Sequence, residues 1–383
     1  MAQIFSGIRV IDLTNNLAGP IATAMMADFG AEVIKVEKPI FGDDSRAWKV
    51  QIGGTSTLFV QANRGKKSIV LDFKKESDME ILRKLIKKSD VLIESFKPGV
   101  MSKLNLSYDE VCKLNPQIIM CSVSAYGQTG PYRDRPGYDL IAQAMSGVMD
   151  INGDPDGPPM KLGPAVADNS TAFHAFGGIS AALYHRSRTG EGQFIDVSLL
   201  ECMTLQIDCF EIASAGEDVT RNGNHHNALT PYGVFGKKSG GMMIAALNPK
   251  LWGILTSLMG RPEFANDPKY ITVADRCKNQ KELIPIIDDW VDSFGDLNKL
   301  EELLMKNGIP CARVRTVKEV VNDPHMNYRG TITEVDVPDS KTMPKVKIRG
   351  TAIKFSKTPG KPGSAPALGQ HQEEVLRLIA EEK

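Results

Sequence analysis

Apolar positions cluster in short blocks through the first 125 residues of the chain, and segments with helical spacing separate these blocks. The apolar blocks predict strands over residues 8–13, 32–36, 68–72, 90–93 and 117–123. Between them, amphipathic spacing predicts helices near 20–29 and 76–88 and a further short helix before 117. Short apolar strands interleaved with helices are typical of a parallel sheet covered on both faces. The pattern therefore predicts an α/β fold with an open, Rossmann-like parallel sheet.

The pattern changes near residue 224. Two apolar blocks around a turn at Lys237–Gly240 predict an antiparallel hairpin, and helices follow near 249–259, 279–294 and 297–307. We therefore expect a second, smaller α+β domain. The predicted boundaries are a large domain over 1–200 completed by 330–383, a linker helix region over 201–224 and a small domain over 225–329. Proline and glycine between 358 and 369 predict an extended arm, and the last helix is predicted from about 371.

One carboxylate stands where a loop of small residues, Gly163–Ser170, passes into a helical pattern predicted to begin at Ala172. This spacing places Asp168 at or next to the N-cap of the helix. Two interpretations are open. Asp is a preferred capping residue, and the small residues around it, including Gly177 and Gly178, would also leave it uncovered as a nucleophile.

Composition narrows the class of protein. The 383 residues are 42% hydrophobic and 24% charged, and 46 basic side chains balance 46 acidic ones. A chain without net charge has no overall field to attract nucleic acid, so any anion must be held by a local site. No apolar run reaches the length of a membrane span, and the first residues lack the pattern of a secretory signal. We therefore expect a cytoplasmic protein without a membrane or nucleic-acid partner.

The distribution of cysteine and histidine argues against a metal site. The six cysteines form no Cys-x-x-Cys pair, and only His225 and His226 are adjacent among the six histidines. Neighbouring loop residues rarely bind one metal unless other ligands converge. We predict reduced thiols and no metal.

Several common phosphate and hydrolase motifs are missing. The first strand is not followed by Gly-x-Gly-x-x-Gly, and no Gly-x-Ser-x-Gly occurs. The segment Gly65–Ser68 resembles the end of a P-loop, but Val60 stands at the required glycine position and a strand follows. These absences count against a dehydrogenase, a P-loop nucleotidase and a serine hydrolase.

Basic residues follow two of the predicted strands: Lys38 and Arg46 after the second, and Lys97 and Lys103 after the fourth. Exposed lysines usually form only a solvated surface. Ligands of parallel α/β sheets, however, bind at the carboxyl ends of the strands, and Phe96 beside Lys97 offers an apolar platform. A nucleotide-like anion fits this arrangement.

A series of ordered motifs extends through most of the chain. They lie at 9–14, 18–20, 30–37, 42–43, 94–99, 124–131, 136–139, 163–170 and 189–193. With these motifs the chain resembles the class III coenzyme A transferases, the family of formyl-CoA, carnitine-CoA and bile-acid-CoA transferases. The resemblance covers essentially the whole chain.

The resemblance implies that Asp168 is a catalytic nucleophile. In such enzymes the carboxylate attacks an acyl-CoA thioester to give a mixed anhydride, exchange passes through an aspartyl-CoA thioester, and the acceptor acid leaves as a new acyl-CoA. A free Asp has a pKa near about 3.9, and a helix N-terminus stabilises the anion. We therefore expect Asp168 to be ionised at neutral pH. Coenzyme A thioesters are then substrates, and no tightly bound cofactor is expected.

The resemblance also implies a set of CoA contacts and a partner. It suggests that the loop after the first strand lines CoA and that Tyr138 and Asp139 flank the catalytic pocket. The implied CoA-binding residues are Asn16, Leu17, Lys38, Arg46, Phe96, Lys97, Lys103, Leu104, Tyr138 and Asp139. The family further implies an interlaced homodimer. Where the formyl-CoA branch carries a glycine-rich loop, this chain has Asn222–Ala228, which puts formyl and oxalyl transfer in doubt.

Two alternative functions remain. The α-methylacyl-CoA racemases share the fold but carry Gly-His-Asp where this chain has Gly137–Asp139. Tyrosine, with a pKa near about 10, is a poor base for racemisation at neutral pH. A non-catalytic CoA-ester-binding protein is the other alternative. The acyl donor and acceptor stay open among bile acids, carnitine-type acids, small hydroxy acids and dicarboxylates.

Overall fold

The computed structural model describes residues 3–49, 51–52, 54–338, 340 and 342–380. The chain forms two compact units. The larger comprises Met1–Val148, Leu162–Asp208 and Val321–Lys383, and the smaller comprises Met149–Lys161 and Cys209–Val320. The domain boundaries predicted from the sequence pattern, 1–200 with 330–383, 201–224 and 225–329, stay a prediction.

A six-stranded sheet forms the centre of the larger unit. Its strands are β1 (Arg9–Leu13), β2 (Glu32–Glu37), β3 (Lys67–Val70), β4 (Val91–Glu94), β5 (Ile119–Ser124) and β6 (Gln193–Ser198). They are all parallel and lie in the order β3-β2-β1-β4-β5-β6. This is the strand order of doubly wound nucleotide-binding sheets. The predicted α/β fold is confirmed, although β6 had not been predicted as a strand.

Helices cover the sheet and build the smaller unit. In chain order they are α1 (Ala18–Asp28), α2 (Thr57–Asn63), α3 (Glu76–Lys87), α4 (Val100–Lys103), α5 (Tyr108–Leu114), α6 (Asp139–Met145), α7 (Val166–Thr189), α8 (Leu199–Thr204), α9 (Phe210–Ser214), α10 (Pro249–Leu258), α11 (Val273–Lys278), α12 (Gln280–Ser293), α13 (Leu297–Lys306), α14 (Val317–Val321), α15 (Pro324–Tyr328) and α16 (Gln372–Ala380). No helix in the described part of the chain is long and apolar enough to cross a bilayer.

Alternate residues of the strands supply two separate cores, one on each face of the sheet. Val10 and Ile93 belong to the cluster that includes α1 and α7. Their neighbours Ile11 and Leu92 belong to the cluster that includes α3, α5 and α16. Because side chains alternate along a strand, a strand buried on both faces must be apolar at nearly every position. This explains the continuous apolar blocks of the sequence.

A buried network of charged groups lies where β1 and β2 end. Lys66 Nζ donates to Asp12 Oδ2 at 2.8 Å and to the Asn63 side-chain oxygen at 2.9 Å. Lys35 Nζ lies 2.7 Å from Asp43 Oδ2 and donates to a backbone carbonyl of the loop after β1. Burial opposes charge on Asp12, but the two lysines hold its pKa below the ordinary value. Burial lowers the pKa of Lys66 to about 8.

The smaller unit has its own sheet and core. Strands β7 (Tyr232–Phe235), β8 (Met242–Ala245) and β9 (Cys311–Arg313) pair antiparallel in the order β9-β8-β7. Phe235 and Trp252 are buried between this sheet and the helices. The buried Arg276 donates to four backbone carbonyls, including that of Thr230 at 2.7 Å, and lies over the Trp252 ring. These bonds satisfy the guanidinium inside the core.

The chain then contributes further structure to the larger unit. Strands β10 (Ile332–Asp336) and β11 (Lys345–Arg349) form an antiparallel pair, and Ile348 packs against Phe59 of α2. The arm that follows contains no helix or strand between 358 and 368. Two backbone hydrogen bonds attach the arm to the rest of the larger unit. Gly65 N donates to Ser364 O at 2.8 Å, and Lys361 N donates to Asp28 O at 2.7 Å.

Candidate active site

The loops at the carboxyl ends of β1, β4 and β5 surround a cavity of about 800 Å³, closed on one side by the start of α7. We call it the main cavity. Its lining includes Asn15, Asn16, Leu17, Trp48, Ser95, Phe96, Lys97, Ser124, Arg133, Arg135, Tyr138, Asp139, Asp168 and Leu199. This is the edge at which parallel sheets bind ligands. All of these residues belong to the larger unit.

Asp168 lies in the first turn of α7, not at its N-cap. The helix begins at Val166 with Ala165 at the cap, and the cap makes no side-chain hydrogen bond. The prediction of a helix start at Ala172 was wrong because the first two turns bury the small residues Ala167, Ser170 and Thr171. These residues carry no apolar periodicity. The capping interpretation of Asp168 is therefore wrong as well.

The Asp168 carboxyl is half-buried beside another acid. Its backbone N–H donates to Asp139 Oδ1 at 3.1 Å. Burial raises the pKa of Asp168 to about 7, and the charge of Asp139 adds to the shift. The helix N-terminus stabilises the anion by only about 0.3 to 1 kcal/mol. The free-energy cost of burying the carboxylate is larger. Asp168 is thus not fully ionised at neutral pH, contrary to the expectation from its sequence position.

Asp139 holds the start of α7 against α6. The buried Gln143 donates from Nε2 to Asp139 Oδ2 at 2.7 Å, and its Oε1 accepts from the backbone of Leu162 at 3.0 Å. One Asp139 oxygen thus accepts from α6 and the other from the backbone of Asp168. The arrangement fixes the nucleophile candidate through its backbone and leaves the Asp168 oxygens without a hydrogen-bond donor among the described residues.

The loop after β1 is fixed by polar bonds to its neighbours. Asn15 N donates to Ser95 Oγ at 2.9 Å, and Asn15 Oδ1 accepts from Asp44 N at 2.9 Å. Asn16, whose φ of 68° is left-handed, donates from its backbone to Asp43 Oδ1 at 3.3 Å. Asp43 is also the partner of buried Lys35. The buried charge network therefore sets one wall of the main cavity.

A second cavity of about 250 Å³ lies at the ends of β1, β2 and β3. We call it the side cavity. Lys38, Asp72, Phe73 and Lys74 line it, and Phe96 lines both cavities. Glu94 Oε2 accepts from Phe96 N at 2.7 Å, and burial raises the pKa of Glu94 to about 7. This bond sets the turn that carries Phe96 between the two cavities.

Seven of the predicted CoA contacts line a cavity. Asn16, Leu17, Phe96, Lys97, Tyr138 and Asp139 line the main cavity, and Lys38 lines the side cavity, where it pairs with Asp44. Tyr138 is 72% exposed.

The other three predicted contacts line neither cavity. Arg46 makes two 2.7 Å bonds to Glu37 and lies over the Phe59 ring. Lys103 and Leu104 lie at the end of α4, where Leu104 packs into the core. CoA binding by Arg46, Lys103 and Leu104 stays a prediction.

The sequence pattern did not indicate Trp48, Arg133 or Arg135, which also line the main cavity. The predicted cations lie in the loops that directly follow β2 and β4. The two arginines lie after β5, in the segment that leads into α6. The usable signal was their position just before the motif at 136–139.

His225 and His226 lie in the smaller unit. His225 lines a cavity of about 470 Å³ within that unit, together with Lys237 and Lys281. Burial lowers the pKa of His225, and its ring lies against Phe235. His226 stacks on Tyr232 and accepts from Ala228 N at 3.0 Å. Local packing thus accounts for both rings.

Comparison with known proteins decides the family. The sequence model of CoA-transferase family III matches residues 5–372. The chain belongs to this family. The resemblance inferred from the sequence motifs is therefore confirmed.

Relatives with named activities cover nearly the whole chain. A succinyl-CoA:glutarate CoA-transferase of Mus musculus is 38% identical in an alignment of 389 positions, gaps included. The alignment covers 97% of this chain and 86% of that protein. A succinyl-CoA:mesaconate CoA-transferase of Haloarcula hispanica is 37% identical over 387 residues, 96% of this chain and 94% of that protein. The protein is therefore an enzyme that transfers CoA between an acyl-CoA and a carboxylic acid, not a racemase or a non-catalytic binder.

The fold agrees with a solved relative. The crystal structure of a CAIB/BAIF family protein from Brucella suis superposes with a TM-score of 0.88. It is 35% identical and covers 99% of this chain and all of that one. The six-stranded parallel sheet and the helices around it are thus those of the family.

The raised pKa of Asp168 predicts a stability effect. The folded protein binds a proton at Asp168 between about pH 4 and pH 7 that the unfolded chain has lost, so stability falls as the pH rises through this range. Asp168→Asn removes this loss. We expect it to raise the free energy of unfolding at pH 8 by about 1 to 3 kcal/mol and to have a much smaller effect at pH 4.

Urea unfolding at one fixed protein concentration checks this. The exposed Asp218 provides the control, since Asp218→Asn should leave the pH dependence unchanged. If Asp168→Asn destabilises the protein equally at both pH values, ionisation of the Asp168 carboxyl does not destabilise the folded state, and the prediction is wrong.

Proposed function

We propose that Asp168 carries the CoA transfer as a covalent nucleophile. A carboxylate oxygen attacks the thioester carbonyl carbon, the C–S bond breaks, and CoA thiolate leaves a mixed aspartyl anhydride. The thiolate then attacks the Asp168 carbonyl, which releases the donor acid and forms an aspartyl-CoA thioester. The observation that carries this proposal is the Asp168 carboxyl, which lines the main cavity and accepts no hydrogen bond from the residues that the structure describes.

The second half of the reaction repeats these steps in reverse. The acceptor carboxylate attacks the aspartyl-CoA thioester and displaces the thiolate, which then attacks the acceptor carbonyl. The products are a new acyl-CoA and free Asp168. Each step exchanges oxygen and sulfur nucleophiles at a carbonyl carbon, with no net change in protons or electrons. We therefore propose that the reaction uses no tightly bound cofactor.

The environment of Asp168 suits this chemistry. With a pKa of about 7, roughly half of the groups are ionised at neutral pH. Burial leaves the ionised carboxylate poorly solvated, and no described protein group has to release it before it attacks. Rate then depends on placing the thioester carbonyl against the carboxylate. The bond from the backbone of Asp168 to Asp139 supports this placement.

We propose that CoA extends across both cavities. The adenosine and phosphates would lie in the side cavity near Lys38, and the thioester would enter the main cavity near Asp168. Phe96 lines both cavities and would contact the part of CoA that lies between the phosphates and the thioester. We also propose that the protein is cytoplasmic. This proposal rests only on the sequence pattern described above.

We propose that the acyl groups are those of short dicarboxylic acids. The relatives named above act on succinyl-CoA, glutarate and mesaconate, and these acids carry two carboxylates each. A second carboxylate would need a cation at the acyl end of the site. Two arginines of the main cavity, Arg133 and Arg135, are available there.

We further propose an interlaced homodimer. On α7, Phe173 and Tyr184 are 56% and 68% exposed, and the space beside Gly177 between them is open. An apolar helix face of this kind supports burial against a second copy of the chain. Interlacing itself rests on the family.

The covalent proposal predicts an adduct on one peptide. After incubation with succinyl-CoA, mass spectrometry should find an acyl or CoA adduct on the Asp168 peptide, and hydroxylamine should convert it to a hydroxamate. Asp168→Asn should lose the adduct and lower transfer by at least about a thousandfold, since it removes the nucleophile while keeping the shape. A wild-type rate in Asp168→Asn, with deamidation excluded by mass, would rule out this mechanism.

The CoA placement predicts which cations matter for binding. Lys38→Ala and Lys97→Ala should each raise the KM for acyl-CoA roughly fivefold, as expected for a loss of about 1 kcal/mol, and change kcat less. Lys113→Ala is the control, because Lys113 is exposed, is not among the predicted CoA contacts and lines neither cavity. Steady-state kinetics at low and high salt check this. Equal effects of all three changes would place the phosphates elsewhere.

The interlaced dimer predicts its mass and its exchange behaviour. Light scattering should give twice the chain mass of 41.9 kDa at micromolar concentration. Two differently tagged preparations should form mixed dimers only after joint unfolding and refolding, because linked chains cannot separate while folded. A stable active monomer would contradict the dimer, and rapid exchange under native conditions would contradict the interlacing.

A further inference from the structure

Arg135 differs from its neighbour in how its charge is used. Its guanidinium carbon lies 3.9 Å from the centre of the Tyr132 ring. Among the described residues no carboxylate pairs with it. Arg133, two residues earlier, has Asp134 Oδ1 at 3.5 Å from its Nε. Both arginines line the main cavity, but only Arg135 leaves its charge uncompensated there.

A stacked guanidinium is well placed to bind an anion. The ring takes one face of the group, while the five N–H donors point outward from its edge in a fixed plane. This planar fork matches the two oxygens of a carboxylate. Arg135 therefore offers a bidentate carboxylate site in the wall of the main cavity.

The position of Arg135 associates it with the acyl group rather than with the CoA phosphates. The side cavity has Lys38 and Lys74 in its lining but no residue of the segment 133–141. The main cavity has nearly all of that segment, including Asp139, whose carboxylate bonds to the backbone of Asp168. No ion pair joins Arg135 to either acid in the described part of the chain. Its charge stays available for a substrate.

We propose that Arg135 binds the distal carboxylate of a dicarboxylic acyl group and so selects dicarboxylates over monocarboxylates. The inference rests on the proposed function, because it requires the other end of the same acyl group to react at Asp168. Arg135 also has to accept donor and acceptor in turn, since both occupy the same cavity. One residue would therefore set the preference for both substrates.

The physical basis of selection is the cost of leaving a cation without its partner. A dicarboxylate replaces the water around the guanidinium with two charge-assisted hydrogen bonds. A monocarboxylate of the same length displaces that water with a methyl group, which forms no hydrogen bond to the guanidinium. Sites built to bond a polar group reject the analogue that lacks it far more strongly than apolar pockets reject small differences. Arg135 and Tyr132 are both exposed, so water screens this charge, and we expect a preference of about fivefold.

Two thioesters of equal chain length test the proposal. Glutaryl-CoA and pentanoyl-CoA differ only in the distal carboxylate. The rate of adduct formation on the Asp168 peptide is measured for each, and glutarate and pentanoate are also compared as acceptors in steady-state transfer. Wild type should favour the glutaryl group in both assays. Arg135→Met should remove most of this preference through loss of the glutaryl rate, with the pentanoyl rate held or raised.

The controls separate charge from structure. Arg133→Met should keep the preference within about twofold, because Asp134 already pairs with Arg133. Arg135→Lys should retain part of the preference through its charge. An equal fall of both rates in Arg135→Met, or no preference in wild type, overturns the proposal.

A failure of the covalent mechanism would look different. In that case wild type forms no Asp168 adduct with either thioester. The steady-state comparison of glutarate with pentanoate still decides the role of Arg135.

Discussion

The candidate site depends first on the buried pair between Asp12 and Lys66. Both side chains are fully buried, and Lys66 also bonds to the carbonyl of Pro20 in α1. Breaking such a pair by removing one partner leaves an unpaired charge and costs about 3 to 5 kcal/mol. The pair ties β1 to α1 and to the segment before β3. Through Lys35 and Asp43 the same network reaches Asn16, so the position of the cavity wall is linked to the stability of the core.

The second constraint is the proximity of Asp139 and Asp168, which favours chemistry over stability. Burial and the neighbouring acid raise the pKa of Asp168 to about 7, so ionisation at neutral pH works against the folded state. The structure retains this cost while Asp139 itself is held by Gln143 and by the backbone of α7. Functional sites often keep unfavourable groups of this kind, and replacing them commonly gains stability and loses activity.

The sequence pattern predicted the parallel sheet because β1 to β5 carry apolar residues on both faces of the sheet. It missed β6, whose polar Gln193 and Asp196 interrupt the apolar pattern at the sheet edge. It placed the start of α7 six residues late, since the first turn packs small residues that have no periodicity. For Arg135 the only signal was its position just before the motif at 136–139, because its contact with Tyr132 and its place in the main cavity exist only after the loop beyond β5 has folded. The family motifs located Asp168, but neither they nor the pattern could give its burial.

CoA transfer makes an unusual demand on such a site, because donor and acceptor acids must occupy the same space one after the other. Under the proposed covalent mechanism, the cavity would have to stabilise a thioester, an anhydride and a free acid without holding any of them too tightly. A nucleophile fixed through its backbone can change its bonding partner at each step while its position stays constant. A cation stacked on an aromatic ring has the same property, since the ring keeps its orientation when no anion is bound. Together, Asp168 and Arg135 would define the two ends of the acyl group by geometry, and the length between them would then limit which diacids can react.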